Sequence, residues 1–133
     1  MDSTPPSITR LGSGAPWEAV VGYSRTVRAG PFVFVAGTTG TVAGRVVSPG
    51  DAYAQTVQAL RNVEAALVLA GARMTDVVQT RLSVTDLSRW EEVGRAHAEA
   101  FDAAFPVSAM VGVSALIDPE MLVEVEAVAY LPT

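Results

Sequence analysis

The sequence has no cysteine and no lysine, and it has a single histidine, His97, in 133 residues. The absence of cysteine excludes disulfide bonds, a thiol nucleophile and a thiolate metal site. The absence of lysine excludes catalysis through a lysine Schiff base. One histidine cannot form a multi-histidine metal site, and the Asp and Glu residues match no calcium-loop spacing. We therefore expect no bound metal.

Basic clusters and long apolar runs are also missing. The nine basic residues are all arginines dispersed along the chain, and the net charge is -5. Because binding to a phosphate backbone requires a concentrated positive surface, we expect no nucleic-acid partner. No apolar run reaches 18 residues, and residues 1–16 lack the basic start and apolar stretch of a signal peptide. We therefore expect a cytoplasmic protein without a membrane partner.

Hydrophobic residues, in contrast, are abundant. They make up 50% of the chain, whereas only 17% of the residues are charged. A chain of this length is expected to form one domain. A small monomer has a large surface relative to its volume and usually needs a higher fraction of polar residues to cover it. The excess predicts a buried interface between identical subunits.

The most informative stretch is 106–130, which predicts strands over 109–114 and 122–130. In the second strand, alternation places Val123, Val125, Ala127 and Ala129 on one face. Glu124 and Glu126 lie on the other face, about 7 Å apart at ~3.3 Å per residue. Carboxylates within an apolar strand need partners or a function. Two interpretations stay open: Glu124 and Glu126 pair with Arg81 or Arg25 across strands or subunits, or Glu124 takes part in a reaction.

The remaining patterns predict an α+β fold, with a single mixed β-sheet and two helices on one face. We divide the chain into an N-terminal arm, 1–16, and a single domain, 17–133. The predicted elements are strands over 23–28, 32–37, 45–47 and 76–86, a helix over 51–70 with an Asp51 cap and a Gly71 stop, and a helix over 88–105 with a Ser88 capping box. In strand 76–86, Val78, Thr80, Leu82 and Val84 are expected to share the apolar face.

The other face of this sheet carries Gln79, Arg81, Ser83, Glu124, Glu126 and Tyr130, and we expect it to meet identical subunits. His97 falls beside the apolar stripe of the second helix. A satisfied, partly buried histidine is favoured there over a catalytic base, because the sequence shows no nucleophile for a base to serve.

An ordered set of short motifs resembles the reactive intermediate deaminase (Rid, or YjgF; RidA-like) family. The motifs are Gly22-Tyr23, FVFVAG at 32–37, Gln55-Thr56, Asn62, Ala70-Gly71, Asp86-Leu87, Phe105-Pro106 and VEVEAVA at 123–129. The resemblance implies a chorismate-mutase-like fold and a homotrimer with small-molecule clefts between subunits. It also implies hydrolysis of reactive enamines and imines, such as 2-aminoacrylate, to a 2-keto acid and ammonia, without cofactor or metal.

Residue by residue, the resemblance is incomplete. Tyr23, Gly37 and Glu124 match the family's pocket, and Glu124 matches the acidic residue that positions or activates water. The motif from Pro106 has Ser108 where active members have an arginine that anchors the substrate carboxylate. A neutral hydroxyl cannot replace the two charge-assisted hydrogen bonds of a guanidinium, so a simple 2-imino acid is not the expected substrate. Further departures are Met110 for a cysteine, Gly94 for a helix asparagine and Ala36 for a serine.

We therefore predict Glu124 and Tyr23 as catalytic residues of an imine or enamine hydrolase that takes a small-molecule substrate. The predicted substrate-binding residues are Gly37, Thr38, Ser108, Met110 and Phe32. Arg25 or Arg81 is left open as a replacement for the missing anchor. The alternative is a non-catalytic trimer that binds small molecules or proteins and has lost the reaction. A ribonuclease is disfavoured by the acidic balance and the dispersed arginines.

Overall fold

The computed structural model describes residues 7–132, which form one mixed six-stranded sheet with a helical layer on one face. The strands are β1 Ile8–Leu11, β2 Thr26–Ala29, β3 Phe32–Thr39, β4 Thr41–Val42, β5 Arg45–Val46, β6 Val77–Val84, β7 Val107–Gly112 and β8 Val123–Tyr130. The helices are α1 Pro16–Val21, α2 Ala52–Leu69 and α3 Trp90–Ala100. The predicted α+β class with a single mixed sheet is confirmed. None of these described helices is both long and apolar enough to span a bilayer.

The strand order in the sheet is β1-β2-β3-β8-β6-β7, and β4 and β5 form a separate hairpin. All neighbours in the large sheet are antiparallel except β6 and β7. A parallel pair needs a crossover connection, and α3 provides it. The two C-terminal strands are therefore not neighbours, because β6 lies between β7 and β8. This order leaves β7 as an open edge of the sheet.

The alternation predicted for β8 is confirmed. Val123, Val125, Ala127 and Ala129 are at most 2% exposed, whereas Glu126 on the opposite face is exposed. The buried side chains pack beneath α2 in one hydrophobic core. Each fully buried valine contributes roughly 1.5–3 kcal/mol, so this pattern fixes which face β8 turns to the helices.

The long helix α2 begins and ends as its flanking residues predict. Asp51 Oδ1 accepts a hydrogen bond from the Ala54 backbone N–H at 2.9 Å, which satisfies one of the free amides of the first turn. Gly71 follows the helix with a φ of +86°, a conformation that only glycine adopts without strain. These two signals are local, and for that reason both were visible in the sequence.

The predicted face of β6 is wrong at Val78. The pairing of β6 with β8 is irregular between Val77 and Gln79, and Val78 is 45% exposed. Val77 takes the place on the buried face that alternation assigned to Val78. A β-bulge of this kind adds one residue to a strand and shifts its alternation, so strict period-2 counting fails at that point.

The start of α3 is also different from the prediction. Ser88 does not cap the helix, because its hydroxyl and its backbone N–H both donate to Asp86 Oδ1, at 2.6 and 3.1 Å. Asp86 therefore caps the N-terminal end of a separate single turn, Leu87–Arg89, and α3 begins after it at Trp90. The helix ends at Ala100 rather than Phe105, and Phe105 itself has a φ of +43° in the turn before β7.

The N-terminal part of the chain contains a strand and a short helix that its residue pattern did not predict. Residues 1–6 of the predicted arm lie outside the described residues. Ile8–Leu11 pairs antiparallel with β2 as the first edge of the sheet. The helix α1 begins at Pro16, and it buries one charged residue, Glu18.

Candidate functional site

A cavity of about 610 Å³ lies where α1, the C-terminal end of β3, α2 and the start of β8 meet. The principal side chains of its wall are Ser13, Trp17, Tyr23, Arg25, Thr38, Asn62, Asp118 and Glu124. A smaller depression, of about 410 Å³, lies between α2 and α3 and contains none of the predicted site residues. The larger cavity is therefore the candidate site.

Four of the seven predicted site residues, namely Tyr23, Gly37, Thr38 and Glu124, line this cavity. The other three do not. Phe32 is 41% exposed on the face of the sheet opposite the helices, and Ser108 and Met110 lie on the edge strand β7. A ligand in the cavity could contact these three residues only if they came from another copy of the chain, so their binding roles stay predictions.

Arg25 organises the wall between Tyr23 and the end of β3. Its Nη1 donates to the Gly37 carbonyl at 2.6 Å and to Thr38 Oγ1 at 3.0 Å. Its Nη2 donates to the Tyr23 hydroxyl oxygen at 3.2 Å. The guanidinium is thus occupied mainly by the protein itself. Because it fills an acceptor position of Tyr23, the hydroxyl hydrogen of Tyr23 is left to point elsewhere.

Glu18 is the counter-ion of Arg25, and the sequence analysis did not single it out. The Arg25 Nε donates to Glu18 Oε2 at 3.4 Å, and the backbone N–H and the hydroxyl of Ser13 donate to the two carboxylate oxygens. Burial alone would raise the pKa of Glu18, but the hydrogen bonds from Ser13 and the charge of Arg25 lower it overall. Glu18 is therefore a fixed anion that fastens α1 to the cavity wall.

Glu124 is held differently. Its carboxyl group packs directly on Gly37, where a Cβ atom would lie 2.6 Å from the Glu124 carboxyl carbon. Burial raises the pKa of Glu124, the charge of Glu126 raises it further, and the charge of Arg25 opposes both effects. A side chain at position 37 would therefore displace the Glu124 carboxyl from this position. The close approach thus explains the glycine and places the carboxyl at the cavity wall.

Neither Glu124 nor Glu126 forms an ion pair within the described chain. The ion pairs among residues 7–132 are Arg25–Glu18, Arg73–Asp76 and Arg89–Glu92. Arg25 pairs with Glu18 instead of Glu124, and Arg81 faces Glu126 across the ladder without a contact of 4.0 Å or less. Pairing of these glutamates between subunits stays a prediction.

Two amide side chains of α2 set the distance between the walls. Asn62 Nδ2 donates to the carbonyls of Thr39 and Thr41, each at 2.9 Å, and so fastens the end of β3. The fully buried Gln55 donates to the Glu120 carbonyl at 2.9 Å and accepts from the Leu122 N–H at 2.9 Å. Since these bonds fix the end of β3 and the start of β8, they position Gly37 against Glu124.

His97 lies outside the cavity and is half-buried under β6. Its Nε2 lies 2.8 Å from Thr80 Oγ1, and the centroid of its ring lies 4.7 Å from the ring centroid of Phe101. Burial lowers the pKa of His97 below its usual range. The interpretation as a satisfied, partly buried histidine is confirmed. Within the described residues, no three Asp, Glu or His side chains are grouped as a metal-ligand set.

The family model described as endoribonuclease L-PSP matches residues 13–131. The chain therefore belongs to this family, which is also known as YjgF or Rid and has deaminase-like and endoribonuclease-like members.

Individual relatives match 81–96% of the chain. The crystal structure of Rv2704 from Mycobacterium tuberculosis, a member of the YjgF/YER057c/UK114 family, is 54% identical with a TM-score of 0.86, covering 94% of this chain and 100% of that one. SCO2049 from Streptomyces coelicolor is 38% identical, covering 96% of this chain and 95% of its own length. The RutC family protein PH0854 from Pyrococcus horikoshii is 34% identical, with coverage of 81% and 86%.

Proposed function

We propose that this protein hydrolyses a reactive enamine or imine in the cavity beside Glu124, without a cofactor, and that its substrate is not a simple 2-imino acid. The observation that carries the proposal is the Glu124 carboxyl, whose pKa is raised by burial and which packs on Gly37 at the cavity wall. A raised pKa brings a carboxyl closer to the pH at which it can both give and take a proton.

The reaction needs a proton donor for nitrogen and a base for water. The Glu124 carboxyl protonates the imine nitrogen, or the carbon of the tautomeric enamine, to give an iminium ion. The resulting carboxylate takes a proton from water as the water oxygen bonds to the iminium carbon. Glu124 then returns this proton to nitrogen. As the C–N bond breaks, the Glu124 carboxylate takes the proton of the new hydroxyl, so a carbonyl compound and ammonia leave and the Glu124 carboxyl is protonated again. Tyr23, held by Arg25, is placed to donate its hydroxyl hydrogen to substrate or water.

No arginine is free to bind a substrate carboxylate at the two positions considered, 108 and 25. Position 108 has no guanidinium, and Arg25 is bonded to Glu18, Gly37, Thr38 and Tyr23. Neither residue therefore offers the two-pronged clamp that a carboxylate prefers. The apolar part of the wall, which includes Trp17, Val21 and Met121, suits a larger or uncharged group.

The proposal includes assembly as a homotrimer with completed clefts between subunits. Large apolar side chains are exposed on the open face of the sheet, among them Phe32, Phe34 and Tyr130, at 41–45%. A self-association of this face would bury them together with Gln79, Arg81 and Glu126. Light scattering on the purified protein should give three times the mass of the chain.

The decisive experiment measures loss of imine in a panel that contrasts 2-iminopropionate with imines bearing a neutral group in place of the carboxylate. We expect turnover of the neutral imines and a decrease of at least about 100-fold in Glu124→Gln, since it lacks the acid–base group. Glu91→Gln, at an exposed glutamate on α3, is the control, with activity and mass retained. Hydrolysis of 2-iminopropionate at the rate of an arginine-bearing relative would refute our account of Ser108.

The second candidate is a non-catalytic trimer that binds small molecules or proteins. It is favoured by the loss of the arginine at position 108, because binding pockets often outlive the reaction they once served. In that case no imine is turned over, and Glu124→Gln has no rate to lose. Because the family model is described as an endoribonuclease, RNA cleavage should be assayed on the same samples, and we expect none.

A further inference from the structure

Three side chains from three elements form a continuous hydrogen-bonded chain, which we call the 97–80–108 relay. His97 on α3 lies 2.8 Å from Thr80 on β6, and Thr80 lies 2.8 Å from Ser108 on β7. Thr80 is 1% exposed, and the parallel ladder places it directly opposite Ser108. The relay thus connects a half-buried ring to an exposed hydroxyl at the open edge of the sheet.

The direction of the relay follows from hydrogen counting. The Thr80 hydroxyl donates to Ser108 Oγ. Because a threonine hydroxyl has one hydrogen, Thr80 has none left for His97, so His97 Nε2–H must donate to Thr80 Oγ1. This assigns the Nε2–H tautomer to His97. Ser108 accepts from Thr80, and its own hydroxyl hydrogen is free to donate outwards.

We propose that His97 and Thr80 are positioning residues that make Ser108 an oriented hydrogen-bond donor for one carbonyl oxygen of the ligand. A hydroxyl that accepts a hydrogen bond is a stronger donor, and a hydroxyl held in one orientation loses less freedom on binding. One neutral donor matches the single oxygen of an amide or ester carbonyl. The ligand class is therefore a carbonyl compound or imine with a neutral amide where a 2-imino acid has its carboxylate.

This inference rests on the proposed function for the choice of an imine-derived ligand. It also requires a cleft completed by a second copy, since Ser108 does not line the cavity of its own chain. The arrangement of the relay itself depends on neither point, and it can be tested without any substrate.

The first measurement uses the fact that the chain has one histidine. Long-range ¹H–¹⁵N spectra of the intact protein, recorded above the pKa of His97, should show only the Nε2–H tautomer. The pattern should persist in Thr80→Ser, and it should change in Thr80→Val, which removes the acceptor hydroxyl at similar volume. Ser108→Ala frees the Thr80 hydrogen to donate to His97 and should reduce the preference for the Nε2–H tautomer. A predominant Nδ1–H tautomer in the unsubstituted protein would overturn the relay.

The second measurement titrates the protein with pyruvamide, the stable carbonyl product expected from such an amide imine, and with pyruvate for comparison. Pyruvamide should bind more tightly than pyruvate. Loss of one neutral hydrogen bond should weaken pyruvamide binding about threefold to tenfold in Ser108→Ala and Thr80→Val. Thr80→Ser should restore binding, and Ser114→Ala, at an exposed serine beyond the same strand, should leave it unchanged. Equal affinity in all variants, or preference for pyruvate, would refute the proposal.

Failure of the two hypotheses can be told apart. If no imine is hydrolysed but the tautomer and the Ser108-dependent binding are found, the relay stands and the proposed reaction falls. If imines are hydrolysed with the same KM and kcat in Ser108→Ala and Thr80→Val, the reaction stands and the relay has no part in ligand selection.

Discussion

The two glutamates at the cavity, Glu18 on α1 and Glu124 on β8, have pKa values shifted in opposite directions. Glu18 is only 8% exposed, yet donors from Ser13 and Arg25 lower its pKa overall. Glu124 is half-buried on Gly37 without an ion pair among residues 7–132, and its pKa is raised. At Glu18 the hydrogen bonds and the charge of Arg25 outweigh burial, whereas at Glu124 burial decides the direction. One carboxylate is therefore suited to fastening the wall and the other to moving protons.

The largest expected loss of stability comes from removing Arg25, the counter-ion of Glu18. Arg25→Ala leaves Glu18 buried without its counter-ion and removes the bonds to Gly37, Thr38 and Tyr23. We expect a loss of about 3 kcal/mol in the free energy of unfolding, measured in urea. Arg73→Ala, which breaks an exposed pair with Asp76 at 3.9 Å, is the control and should cost less than about 1 kcal/mol. Equal losses would mean that the Arg25–Glu18 pair is no more than a surface contact.

A pair of glycine substitutions separates stability from activity in the Glu124 region. A Cβ at Gly40 would lie 2.6 Å from the backbone oxygen of Gln55, which cannot move without α2. Gly40→Ala should therefore cost about 1–3 kcal/mol in unfolding free energy.

A Cβ at Gly37 meets only the flexible Glu124 side chain, which can turn away. Gly37→Ala should cost less than about 1 kcal/mol but should displace the carboxyl and lower imine hydrolysis at least about 100-fold. Urea unfolding and imine loss are measured on the same preparations. If Gly37→Ala retained full hydrolysis, the contact between Gly37 and Glu124 would have no part in the reaction.

The smallest effect is the pH dependence of stability, which should have opposite signs at the two glutamates. For Glu124 the folded state holds its proton more tightly than the unfolded state, so this group's stabilisation is present below the ordinary Glu pKa and is lost as pH rises through the folded pKa. For Glu18 the stabilisation is present above the ordinary pKa and is lost as pH falls through the folded pKa.

The measurement is the unfolding free energy of the unsubstituted protein minus that of each Gln variant, from acid to neutral pH. With Glu124→Gln the difference should fall as pH rises, and with Glu18→Gln it should rise. Parallel slopes for the two variants would remove the distinction between the two regions.

Local patterns account for what the sequence predicted correctly. The alternation over 123–129 and the signals at Asp51 and Gly71 each depend on neighbouring residues, and the structure confirms them. The bulge at Val78 arises from how β6 pairs with β8. Ser88 does not cap α3 because Asp86 accepts the hydrogen bond of its hydroxyl. Neither can be counted from residue spacing, so the prediction failed at both places.

The candidate site was only partly predictable because the fold assembles it from distant segments. Tyr23, Gly37 and Glu124 were found through short motifs. Glu18 was not, because nothing before folding indicates that Ser13 and Arg25 will surround it. The relay was hidden for the same reason, since its three members lie on different elements and meet only when β6 and β7 pair.

The placement of the two tryptophans gives this cavity its own optical signal. Trp17 lines the cavity on α1, whereas Trp90 stands 56% exposed at the start of α3. Replacement of Trp90 by phenylalanine leaves one indole, whose emission reports the polarity of the cavity wall. A ligand that displaces water there should shift that emission to shorter wavelength, so occupancy can be followed by fluorescence before any product is known.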